Sequence, residues 1–143
     1  MKKTTKAIAR FECECTEVWT NLSNLFSGMT NFPGYSELLP DAKGSPNSGT
    51  GLQVVDSSGE RKVGLLRTFN PEGMEVAFLI KGYIDVTYEF SILQPNQLIL
   101  VLTYESSGVG GALSNLTGGH KAVAKDAITY IVKSENLQSI VFE

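Results

Sequence analysis

The sequence predicts an α+β fold, an antiparallel sheet of about seven strands in the order β-α-α-β6-α, covered by a long C-terminal helix. Two observations carry this. From about residue 39 to 105 the chain reads as strands separated by tight turns, which favours a meander over parallel crossovers. Only Ala112 to Asn136 has room for a long helix.

That last stretch places Leu113, Leu116, His120, Val123, Ala124, Ala127, Ile128, Ile131 and Val132 on one stripe of 3.6-residue period. Lys121, Lys125, Asp126, Thr129 and Lys133 take the opposite side. Such a helix would run roughly 35 Å and needs a wide apolar partner. Gly118 and Gly119 are helix-weakening residues that kink it or delay its start to about His120. The glycine-rich Gly108–Gly119 segment is the expected mouth of any cavity beneath the helix.

A chain of 143 residues, 42% hydrophobic and 19% charged, is expected to form one domain, residues 1–143, with a single core. The net charge of −3 argues against nucleic acid as a partner. The Lys-rich start is not followed by the apolar run of a signal peptide, and no stretch approaches a membrane span. A cytoplasmic protein without stable membrane insertion is expected. Cys13 and Cys15 lie two apart on one strand face, too close in sequence for an ordinary disulfide and without company for a metal. No metal and no cofactor are expected.

Thr4 to Glu14 alternates, with Ala7, Ala9, Phe11 and Cys13 on one face. Thr16 is placed to cap a short helix running to about Phe26, with Glu17 in its first turn. Pro33-Gly34 and Pro40 bracket a second short helix over Tyr35–Leu39. Strands are expected over Leu39–Lys43, Gly51–Asp56, Arg61–Phe69, Met74–Lys81, Ile84–Leu93 and Leu98–Glu105.

A four-residue Asn70–Gly73 loop would pair Phe69 with Met74 and set Arg67 opposite Val76, Leu65 opposite Phe78, and Val63 opposite Ile80. Apart from Arg67 that face is apolar, so it should meet the helix. A four-residue Gln94–Gln97 loop would turn Val86, Tyr88, Phe90, Ile92 and Glu105 inward and leave Leu93, Leu98, Leu100, Leu102 and Tyr104 outward. Outward leucines in a row mean either a homodimer through the outer sheet face or a shifted register.

The element order, the Val18-Trp19 pair opening the first helix, Gly49-x-Gly51 before a strand and the closing helix resemble the START and birch-pollen-allergen-like superfamily. Its polyketide cyclase/dehydrase and lipid-transport group is the most similar. The resemblance implies a helix-grip fold, a curved sheet wrapped around the C-terminal helix with a hydrophobic ligand between them. It covers nearly the whole chain. Fold does not choose among carriers, receptors, cyclases and cochaperones.

Arg67 is the one charge expected on the inward face, where it would need a carboxylate, water or an anionic ligand. Glu105 is its candidate partner or a general base, and His120 the group suited to proton transfer near neutrality. Phe69, Val76, Phe78, Tyr88, Phe90, Val123 and Ala127 would line the ligand space. Tyr83 and Tyr130 could each add a phenol to a cavity wall. The first expectation is a non-enzymatic carrier or sensor of a lipid, isoprenoid, sterol or aromatic compound. The second is a cyclase or dehydratase in which Arg67 acts with His120 or Glu105. The third is an interaction protein or cochaperone working through its outer surface.

Overall fold

The structure, a computed structural model, describes residues 2–29, 31–41, 47–106 and 119–143. Of the expected Gly108–Gly119 mouth and the Ala112–Asn136 helix, the part up to residue 118 lies outside these residues, as do residues 44–46 of the turn before β4. Among the described residues the chain runs β1 (Lys2–Phe11), α1 (Cys15–Ser23), a 3-10 turn (Asn24–Phe26), β2 (Gly28–Met29), β3 (Tyr35–Pro40), β4 (Gly51–Asp56), β5 (Arg61–Asn70), β6 (Glu75–Lys81), β7 (Asp85–Leu93), β8 (Gln97–Glu105), α2 (Gly119–Ile131) and β9 (Leu137–Phe142). The strands form one antiparallel sheet in the order β2-β3-β4-β5-β6-β7-β8-β1-β9. Its inner face carries the core, and α2 packs against β1, β8, β9 and α1. This is the helix-grip architecture.

Burial follows the alternation read from the first strand: Ala7, Ala9 and Phe11 are each about fully buried. Helix α2 turns Ala124, Ala127, Ile128 and Ile131 inward. Two alanines on that stripe let its backbone approach the sheet closely. Asn21 of α1 donates from Nδ2 to the Ile131 carbonyl at 3.0 Å, satisfying one of the orphan carbonyls at the end of α2.

Three local expectations are corrected. Tyr35–Leu39 is not helical; it belongs to β3, whose backbone bonds pair with β4 rather than within itself. Glu14, in extended conformation, holds the N-cap position of α1 without a side-chain capping bond, and Thr16, expected there, lies inside the helix. The long helix stops at Ile131 instead of Asn136, so its described part spans roughly 20 Å. The residues beyond it are an edge strand, β9, paired with β1.

Both hairpin registers also differ from expectation. The β5–β6 loop is Pro71–Met74, with Asn70 accepting at Oδ1 from the Gly73 amide at 3.1 Å, so that Asn70 pairs with Glu75 and Phe69 with Val76. A bulge then falls between Leu66 and Thr68. It reverses the parity of the strand: Phe69, Leu66 and Gly64 point inward, while Arg67 is exposed on the outer face. Val63 is 67% exposed there, not facing the helix. The physical reason is the charge. An unpaired guanidinium against apolar side chains is expensive, and one extra residue releases it while Leu66 takes the inward position.

The β7–β8 loop holds three residues, Gln94–Asn96, giving Leu93 opposite Gln97 and Val86 opposite Tyr104. Leu98, Leu100 and Leu102 are therefore fully buried inside, and Tyr104 is 7% exposed. Glu105 faces out. With the leucines inside, the outward row that suggested a homodimer or an outer-face cochaperone surface does not exist, and dimerisation is without support. The shift from four loop residues to three is the whole cause, since one residue exchanges the two faces of a strand. Among the described residues no helix is long and apolar enough to cross a membrane.

Candidate functional site

Between the sheet and α2 lies a cavity of about 430 Å³, lined by Pro33, Gly34, Tyr35, Asp56, Ser57, Ser58, Lys62, Val86, Tyr88, Tyr104, Val123 and Asp126. It sits where the open ends of several elements meet: the start of β3, the β4–β5 turn, the start of β7 and the end of β8. Its volume is within the roughly 300–1,000 Å³ of small-molecule sites and far above that of a few waters.

Each wall has a local cause. Gly34 adopts φ +92, a left-handed conformation suited to glycine, and turns the chain into β3 so that Tyr35 enters the cavity. The Gly34 carbonyl accepts from the Ser57 amide at 2.9 Å, tying this turn to the β4–β5 hairpin. In that hairpin Asp56 Oδ1 accepts from Ser58 Oγ at 2.6 Å, Glu60 N at 2.9 Å and Ser58 N at 3.0 Å. Its other oxygen lies 3.9 Å from Lys62 Nζ. The Ser58 hydroxyl above all, with the Glu60 and Ser58 amides and Lys62, holds the Asp56 carboxyl below its ordinary range against a smaller opposing effect of burial. Asp56 is thus committed to shaping the rim.

The inner wall is phenolic. Val86 and Tyr104 are cross-strand partners, and Tyr88 lies one inward position along β7. The Tyr35 and Tyr88 hydroxyls lie close enough to affect each other's titration, the contact lowering Tyr35 and raising Tyr88. Burial dominates all three groups. It pushes Tyr35 up, Tyr88 well up, and Tyr104 up to about 12. The cavity therefore presents neutral hydroxyls at physiological pH, not phenolates.

Behind the phenols lies an aromatic core. Tyr88 stacks on its cross-strand partner Phe78 at 4.9 Å between ring centroids, and Phe90 continues the row. Phe32 bridges the sheet to the helix, with edge contacts to Tyr88 at 5.4 Å, Tyr130 at 5.5 Å and Phe78 at 6.1 Å, and a stacked contact to Tyr35 at 6.2 Å. At the far end Trp19 of α1 packs on Phe69 at 5.5 Å.

The residues expected from sequence divide into three groups. Tyr88 and Val123 line the cavity. Phe78, Phe90, Val76, Phe69, Ala127 and His120 are buried or packed against the core behind it, His120 on the first turn of α2. Arg67 and Glu105 instead face outward, together with Lys2, Lys81, Asp85 and Glu89, around a polar depression of about 320 Å³ on the other side of the sheet. The sheet stands between these two residues and His120, so the three cannot converge on one substrate atom at hydrogen-bond reach. Of the other tyrosines, Tyr83 is 82% exposed and Tyr130 packs on Phe32.

Tyr35 and Tyr104 were not legible as site residues. Tyr35 falls in a segment read as helix, and Tyr104 shares the parity of Leu98, Leu100 and Leu102, which the assumed loop length turned outward. The signal was present, since four such residues at alternate positions are too apolar for a solvated face.

No family model matches the sequence, and no curated protein matches it. Solved structures do match, and they share this helix-grip fold. The Zhui aromatase/cyclase of a Streptomyces species superposes with a TM-score of 0.65 at 13% identity, over 92% of this chain and 92% of that one. Ara h 8.0201 gives 0.62 at 9% identity, over 92% and 98%. A norcoclaurine synthase point mutant from Thalictrum flavum, in complex with a transition-state analogue, gives 0.61 at 14% identity, over 94% and 96%. At these identities the likeness establishes the fold.

Proposed function

We propose that this protein binds a hydrophobic small molecule in the cavity between the sheet and α2, as a carrier or sensor. The observation that supports this best is the cavity itself. It is large enough for a lipid fragment, isoprenoid or aromatic compound; Pro33, Val86 and Val123 give it apolar wall, Asp126 of α2 and the Asp56–Lys62 rim are charged, and three phenols line it. Apolar lining with a few placed polar groups is what such sites need, the first for affinity and the second for orientation. The reading treats residues 1–143 as one domain and the protein as cytoplasmic.

Native mass spectrometry of the purified protein, followed by solvent extraction, tests the reading. The expected result is an apolar compound that co-purifies with the wild type and is lost from a folded Val123→Trp variant, in which the indole occupies the cavity. Equal retention by that variant would place the ligand elsewhere.

A further inference from the structure

The charges that line the cavity do not cancel. Its described wall holds two carboxylates, Asp56 and Asp126, and one ammonium, Lys62. Lys62 Nζ already faces Asp56 Oδ2 at 3.9 Å, and Asp56 Oδ1 is taken up by Ser58 and Glu60 of its own turn. Asp126 is left over. It is exposed, and it forms no ion pair among the described residues. Three and four positions away on α2 stand Ala122, Val123, Thr129 and Tyr130, none of them charged. Lys125 is adjacent in sequence, so it projects about 100° further round the helix. The chain from 107 to 118, which leads to α2, contains no charged residue. Val123 lies almost one turn before Asp126 and lines the same cavity, so one side of α2 offers it an apolar side chain and a carboxylate.

We propose that the cavity selects an apolar ligand bearing one ammonium group, with Asp126 as its counter-ion and the apolar part held among Val86, Val123 and the tyrosines. This deepens the ligand-binding reading above and rests on it. An exposed carboxylate at the cavity's solvent edge suits a charged group, because neither ion has to give up all its water to pair. The apolar part of the ligand then supplies the affinity by entering the cavity. The rings of Tyr35, Tyr88 and Tyr104 line the same space, and an aromatic face attracts a cation. An anionic ligand meets the opposite situation. Asp126 repels it, and the single cation of the described lining is already set against Asp56.

Three probes of one ring system separate the possibilities: 1-naphthylmethylammonium, 1-naphthylmethanol and 1-naphthylacetate. Binding is measured by fluorescence at low and high salt on the wild type, on Asp126→Asn, and on Glu89→Gln, which removes the same charge from the outer face. The ammonium probe is expected to bind the wild type about fivefold tighter than the alcohol, the value of one solvent-edge ion pair. The acetate should bind more weakly than either. High salt should remove most of the ammonium advantage and leave the alcohol unchanged. Asp126→Asn should bring the ammonium close to the alcohol, whereas Glu89→Gln should keep the preference. Equal binding of ammonium and alcohol by the wild type, or a preference for the acetate, overturns the charge selection while the apolar cavity stands. An equal loss in Glu89→Gln and Asp126→Asn also overturns it, since the net charge of the protein would then be the cause. Failure of all three probes to bind overturns the ligand-binding reading as well.

Discussion

Phe32 is the bridge on which the packing between sheet and helix depends, and Phe32→Ala tests that role. The side chain is 1% exposed, and its ring touches Phe78, Tyr88, Tyr35 and Tyr130 at centroid separations of 5.4 to 6.2 Å. Truncating a buried Phe to Ala generally costs about 3–5 kcal/mol, from lost transfer energy and the void left behind. Aromatic pairs add about 0.5–1.5 kcal/mol beyond area, so four contacts favour the upper half of that range. An opposing effect is that Pro33, Tyr35 and Tyr88 already border the cavity, so the void can merge with it, take up water and relieve part of the cavity energy. The balance is a loss of about 3–4 kcal/mol. Urea unfolding followed by circular dichroism should show the midpoint falling in proportion with an unchanged slope. A loss below about 1.5 kcal/mol would refute Phe32 as the bridge, because a buried ring with four aromatic neighbours cannot be removed so cheaply.

Other consequences follow from the same geometry. Gly64 faces inward, and a Cβ there would lie 3.0 Å from the Leu79 carbonyl oxygen and 3.1 Å from Leu52 Cβ and Val54 Cγ2. Gly64→Ala should therefore destabilise by about 1–3 kcal/mol in denaturant titration, whereas relief by small side-chain shifts would leave stability unchanged. Arg67→Ala should change stability by no more than about 0.5 kcal/mol and leave ligand binding intact, because the bulge puts Arg67 outside. A loss of several kcal/mol would restore an inward guanidinium. Tyr35, Tyr88 and Tyr104 have raised pKa values, so the folded state holds protons that the unfolded chain releases above about pH 10. Stability should be fully present below that pH and fall as pH rises towards 12, less steeply in Tyr104→Phe. Asp56 has the opposite sign: its stabilising effect is present above about pH 4 and fades as pH falls through its lowered pKa. Asp56→Asn should flatten that part of the acid profile.

The sequence was most informative where a rule depends on periodicity. The alternation of Ala7, Ala9 and Phe11 and the stripe Ala124, Ala127, Ile128 and Ile131 identify the faces that meet in the core. It was least informative where one residue of loop length decides. The β7–β8 loop of three residues, not four, exchanged the faces of β8 and with them Tyr104 and Glu105. The bulge at Arg67 did the same for β5, and local pattern does not display a bulge, because its cause is the tertiary cost of burying a charge. Tyr35–Leu39 failed differently. Flanking prolines and a short apolar pair are compatible with either conformation, and only pairing with β4 settles it. The fold was accordingly legible from element order, while half of the cavity wall depended on registers that sequence left open.

The most direct measurement of the central claim is an amide and aromatic NMR titration of the protein with 1-acetylnaphthalene. Binding in the cavity predicts saturable shifts centred on Tyr35, Val86, Tyr88, Tyr104 and Val123, with Arg67, Glu89 and Glu105 on the outer face unmoved. Shifts confined to the outer face, or none at saturating probe, would contradict it.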